Sequence, residues 1–132
     1  MRSIAVLLLL LISCKEEPPK NMKDLEQSMM DLKLYQENLG DDIRAGKLQE
    51  GEWLLEGVDS ILNTVSETII EHHKLKAPFS YYKRLRMNKP MKGLKKAFKN
   101  NDTALARRQY IILVDQCNNC HIDLDIDKEV RY

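Results

Sequence analysis

The chain has 132 residues, with 21 Lys and Arg against 20 Asp and Glu, three His and three Cys. A net charge of +1 lacks the basic excess that nucleic-acid binding needs, so no nucleic-acid partner is expected. The length fits one domain, and an odd cysteine count excludes a framework of disulfides alone.

Arg2 precedes an apolar run from Ile4 to Ile12, the layout of a secretory signal peptide. The run is too short to span a bilayer, which takes about 17–25 residues. It stops at Leu11-Ile12-Ser13-Cys14. This stop resembles the lipobox of bacterial lipoproteins. That resemblance implies cleavage before Cys14, lipidation of Cys14, and an anchor in a bacterial membrane on its periplasmic or cell-surface side. Residues 1–13 are then a signal peptide and residues 14–20, charged and proline-bearing, an extended linker. Residues 21–132 form the folded domain.

Past position 20, glycine and proline are scarce and apolar residues recur with a period near 3.6. Met22, Leu25, Met29, Leu32, Leu39 and Ile43 make one stripe, with Gln36 filling its gap. Gly46 marks the expected end of that helix. Leu54, Leu55, Val58, Ile61, Leu62, Val65 and Ile69 predict a second helix ending near His72 and His73. Gly57 weakens it but allows a close neighbour. Phe79, Tyr82, Leu85, Met87, Leu94, Ala97 and Phe98 predict a third, kinked or split near Pro90. Asp102 is a natural N-cap for a fourth helix, through Ala104, Leu105, Ile111, Ile112, Val114 and Cys117 to His121. The expectation is an all-α, antiparallel four-helix bundle.

The last of these helices carries Cys117-Asn118-Asn119-Cys120-His121, the spacing of a c-type haem attachment site. On a helix the three side chains share one side. Two thioethers can then hold a porphyrin edge while the imidazole reaches the iron. Other readings use fewer of these groups or need more. A thioredoxin-like dithiol wants a strand before it and a helix starting at the first cysteine. A zinc site needs about four ligands. A Cys117–Cys120 disulfide would close a strained ring inside a helix. Asp123, Asp125 and Asp127 lack the glycine and the final glutamate of a calcium loop. Ile122, Leu124 and Ile126 read as a frayed helix end resting on the bundle.

With the motif on the fourth helix, residues 21–130 resemble the cytochrome c-prime family. The resemblance implies one covalent haem c, held through Cys117 and Cys120, with His121 as the proximal iron ligand. In that family the first helix lines the distal side. Met29 falls at that place, as a second ligand or as pocket lining; Met22 shares its stripe and Met30 points away. His72 or His73 could ligate instead, and Arg107 or Arg108 could face the haem propionates. Trp53, Tyr81, Tyr82 and Tyr110 read as core or rim. The resemblance implies a membrane-tethered electron carrier with a redox protein partner. Its alternative is a five-coordinate haem module for small gases such as nitric oxide, and beside both stands a structural lipoprotein with no cofactor. Relatives often dimerise through their first two helices, which leaves room for a homodimer. No enzyme is expected, since no nucleophile–base constellation stands out.

Overall fold

The computed structural model describes residues 20–132, with side chains from Leu25 onward. The signal peptide, Cys14, the linker up to Pro19 and the Met22 side chain lie outside the described residues. Among these residues the chain is all-helical and has no strand. No described helix is long and apolar enough to cross a membrane.

Helix α1 spans Lys20–Ala45 and α2 spans Leu48–Thr68. Gly46 joins them at φ 74, a left-handed conformation that costs glycine little. Its N–H donates to the Ile43 carbonyl (3.1 Å) and that of Lys47 to the Asp42 carbonyl (2.8 Å). These two bonds satisfy the last carbonyls of α1 and turn the chain back sharply. Asn101 (φ 50) ends the third helical stretch with the same pair of bonds, Asn101 N–H to Phe98 and Asp102 N–H to Ala97. Asp102 then caps the next helix by accepting from the Leu105 N–H at 2.8 Å.

The third helical stretch has three parts: α3 (Phe79–Tyr82), a π-segment (Lys83–Met87) and α4 (Asn88–Lys99). Within it the Asn88 N–H donates back to the Lys83 carbonyl, five residues earlier. The π-turn inserts one residue into the helical register. Phe79 and Tyr82 face inward before it, Met87 at its last residue, and Pro90, Met91, Leu94 and Ala97 after it. Leu85, expected in the core, is therefore pushed out and is 61% exposed.

Helix α5 spans Thr103–Asp123. The four helical rods run up and down in sequence. The α1–α2 and α4–α5 hairpins form the broadest contacts, and α2 against α4 and α1 against α5 close the bundle. One large apolar cluster fills the centre, including Leu39, Ile43, Leu62, Val65, Leu94, Leu113 and Val114. A smaller one, Tyr82, Cys120 and Leu124, sits at the motif end of α5. Close approach is made by small residues. The Tyr35 ring lies where a side chain on Gly57 would be, and the Tyr110 ring does the same at Gly40.

Two expectations need correction. Helix α2 stops at Thr68, so His72 and His73 sit in the connection to α3, not on the α2 stripe. Buried Ile69 ends the helix and its carbonyl accepts from the Phe79 N–H, which folds the connection back onto the bundle. On α5 the inward residues are Ala106, Tyr110, Leu113, Val114 and Cys120, while Ala104 is exposed and Ile111 and Ile112 are 48% and 42% exposed. The run Tyr110-Ile111-Ile112-Leu113-Val114 is apolar on every side, so its period could not identify the core face.

Candidate functional site

Ala106, Tyr110, Leu113, Cys117, Cys120 and Leu124 recur at four- and three-residue steps along α5 and its C-cap. The two thiols are thus a continuation of the core-facing stripe. Cys117 packs against the large cluster, and Cys120, 6% exposed, lies in the small one with Tyr82. Both are free thiols. Burial pushes the Cys117 thiol up to about 12, with the neighbouring Cys120 adding to the shift. Burial raises Cys120 as well, opposed by the Arg86 guanidinium. Both thiols are therefore protonated at neutral pH, Cys120 buried and Cys117 partly so.

His121 stands beside this stripe and is half-buried. Its Nδ1 lies 2.7 Å from the Lys128 carbonyl oxygen. A carbonyl only accepts, so the ring must donate Nδ1–H, and in the neutral ring this leaves the lone pair on Nε2. A histidine that ligates a metal through Nε2 is held in this way.

Lys128 reaches His121 because the chain reverses after α5. Asp125 (φ 55) takes the left-handed position, with the Asp125 N–H donating to Ile122 (3.1 Å) and the Ile126 N–H to His121 (2.8 Å). The tail then runs antiparallel along α5. The Asn118 side chain donates to the Val130 carbonyl (2.9 Å) and accepts from the Val130 N–H (2.7 Å). Tyr132 donates from its hydroxyl to the Asp115 carboxylate. From the far side, buried Gln36 of α1 donates to the Arg131 carbonyl (3.1 Å) and to the Tyr110 hydroxyl. Tyr110 in turn donates to the Gln36 main-chain carbonyl at 3.0 Å. The expected frayed end is instead an ordered strap.

Cations gather at the C-terminal end of α5. Arg86 pairs with the Asp123 carboxylate, and Lys76 Nζ donates to the Asp123 carbonyl at 2.9 Å. Positive charge is favourable at a helix C-terminus. Arg107, by contrast, donates to the Arg44 carbonyl at the end of α1, and Arg108 is exposed. Ten residues separate Arg107 from Cys117 on the same helix, about 15 Å at 1.5 Å per residue. Sequence reading picked these two arginines and missed Arg86, Lys76, Asn118 and Lys128, which come to the motif from other elements or from the tail.

Met29 is half-buried on α1 and packs against the large cluster, as Cys117 does from α5. Met30 is 64% exposed. His72 is half-buried, with Nδ1 accepting from the Lys74 N–H at 3.2 Å, and its ring lies 4.4 Å from that of exposed His73. Tyr82 and Tyr110 are core, Tyr81 is 44% exposed, and Trp53, 61% exposed, meets the edge of Tyr35. Among the described residues no group of three or more His, Cys, Asp or Glu side chains is placed to hold a metal ion. Two surface grooves lie between α2 and the third helical stretch, lined by residues such as Asp59, Asn63 and Lys95, away from the motif.

No protein-family model matches the chain, no curated protein matches it, and no solved structure matches it. The four-helix architecture therefore rests on the chain's own geometry.

Proposed function

We propose that this bundle carries one covalent haem c, attached through Cys117 and Cys120 with His121 as its axial ligand, on a lipoprotein tethered through Cys14. The observation that carries the reading is the Nδ1–H bond of His121 to the Lys128 carbonyl, one residue from a free thiol and four from another. The donor set fits: two free thiols one helical turn apart and an imidazole whose Nε2 keeps its lone pair. A haem iron takes one or two protein ligands, so a cluster of three protein ligands is not required of such a site. When bound, the group would supply a one-electron iron couple to a membrane-tethered carrier and its redox protein partner.

The chain's own residues have separate tasks in this reading. The stripe position of the thiols would hold the porphyrin edge on the core-facing side of α5. Lys128 fixes the ring of His121. Arg86 and Lys76 put positive charge at the end of α5, where propionates could be balanced. Met29 is the candidate for the distal side. If Met29 ligates, electron transfer is favoured; if it only lines the pocket, the site suits small gases such as nitric oxide.

A second reading has observations of its own. Cys120 is buried and Cys117 partly so, the core is filled by apolar side chains, and no metal-holding group occurs among the described residues. The bare packing is that of a self-sufficient helical scaffold, which favours a structural lipoprotein with no cofactor.

Production of the full chain in a host with working haem-attachment machinery separates these readings. Covalent haem predicts porphyrin absorbance that survives denaturation, a mass raised by one haem, and loss of both in Cys117→Ala/Cys120→Ala. A colourless protein with the mass of the bare lipidated chain supports the scaffold. On coloured protein, a low-spin ferrous spectrum that Met29→Ala makes high-spin supports electron transfer. Rapid carbon monoxide uptake by the unaltered protein supports the gas-binding role.

A further inference from the structure

The tail is attached to α5 at three points in strict antiparallel order. Asp115 meets Tyr132, Asn118 meets Val130, and His121 meets Lys128. Asp115, Asn118 and His121 are three residues apart, so they form one flank of the helix. Cys117 and Cys120 lie on the adjoining flank, with His121 at the seam. The strap therefore reaches the imidazole from the side and leaves the thiol flank to the core. Its middle attachment is two-sided: the Asn118 amide takes both the N–H and the C=O of Val130, as a neighbouring strand would. Lys128 lies between its own N–H bond to the Ile126 carbonyl (2.9 Å) and Val130 two residues on, so a fixed Val130 holds the outer side of the Lys128 carbonyl.

We propose that Asn118, which lies between the two cysteines, is a positioning residue that sets the tautomer of His121 through the tail. Asn118 holds Val130, the strap presents the Lys128 carbonyl, and the carbonyl draws the proton to Nδ1. Free imidazole side chains favour the proton on Nε2, so the contact reverses an intrinsic preference and keeps Nε2 open as a donor atom. The purpose of that open donor rests on the covalent-haem reading; the tautomer itself does not.

The test uses the full chain without attached haem, labelled with nitrogen-15, at alkaline pH where imidazoles are neutral. Ring-nitrogen shifts and two- and three-bond proton couplings report the tautomer of each of the three histidines. A His121→Gln variant assigns the His121 signals. The unaltered chain is expected to show Nδ1–H at His121. Asn118→Leu, which removes both bonds, and Val130→Pro, which removes the N–H, are expected to shift His121 towards Nε2–H. Asn118→Asp, which keeps the acceptor, should fall between. His72 and His73 serve as internal controls whose tautomers stay unchanged, and unaltered far-ultraviolet dichroism shows that the bundle is intact. Nε2–H at His121 in the unaltered chain overturns the proposal whatever the variants do. Unchanged Nδ1–H in folded Asn118→Leu and Val130→Pro overturns it too. Failure of the haem reading appears separately, as absence of covalently retained porphyrin in the loaded preparation.

Discussion

Gln36 shows how much one buried residue can coordinate. Its side-chain N–H groups serve Tyr110 on α5 and Arg131 in the tail, while its Oε1 is buried without a partner. The sequence pattern exposed Gln36 as the gap in the first apolar stripe, but not the reason for it. That reason is two acceptors more than seventy residues away, which local periodicity does not record. Gln36→Ala is expected to lower stability by about 1–3 kcal/mol, measured by urea denaturation, because it leaves a buried carbonyl and hydroxyl short of a donor. Cys117 has a different signature. Its unfolded thiol titrates near 9.0 and its folded thiol at about 12. Between these values the unfolded chain has lost the proton that the folded chain keeps, so stability falls as pH rises through this window. Tyr110, lifted from 10.0 to about 12 chiefly by burial, adds to the loss over the upper part of the window. In haem-free protein the urea midpoint should decline steadily above pH 9.0, and Cys117→Ala should flatten the first part of the decline.

At the scale of elements, helix periods and caps were legible and helix registers were not always so. Gly46, Asp102 and, among the described residues, the stripes from Leu25 to Ile43 and from Leu54 to Val65 stand where a 3.6-residue period and known cap preferences put them. The exposed Leu85 and the rotated face of α5 were hidden for two distinct reasons. A π-turn adds a residue that no spacing rule anticipates, and an apolar run without polar punctuation has no readable phase. Of the site, the two thiols and the imidazole were legible as a spacing. The strap that holds the imidazole was not, because its bonds pair main-chain groups of the tail with side chains of α5. Close helix contacts give a direct prediction. Gly40→Ala would place a methyl group in the Tyr110 ring. In an unpacked helix the change would stabilise by about 1 kcal/mol. Here it should destabilise by about 1–3 kcal/mol through overpacking, seen as a lower Tm. Opposite signs at Gly40 and at an exposed helical control site would distinguish packing from propensity.

Across the whole molecule, charge is unevenly shared despite a net value of +1. Helix α2 carries five acidic residues and no basic one; residues 79–99 carry eight basic residues and no acidic one. The two rods are neighbours, joined by Lys95 and Asp59 at 2.7 Å. Lys89, Lys92, Lys96 and Lys99 lie on the side of α4 away from Met91, Leu94 and Ala97, and all four are exposed. Such a face acts well beyond the average charge of the chain. The protein should bind a cation-exchange resin at neutral pH and low salt, and Lys→Glu at those four positions should abolish retention while leaving the fold intact. Equal elution of parent and variant would show that no concentrated positive field exists there.

Because the tail is bonded to both α5 and α1, the last residues of the described chain, though exposed, are tied to the bundle. Digestion by a carboxypeptidase would not stop at trimming a loose end. Each residue removed would strip a contact in turn, first from Asp115, then from Gln36, then from Asn118. Shortening the chain by a few residues would be felt beside the cysteines, within one turn of the helix.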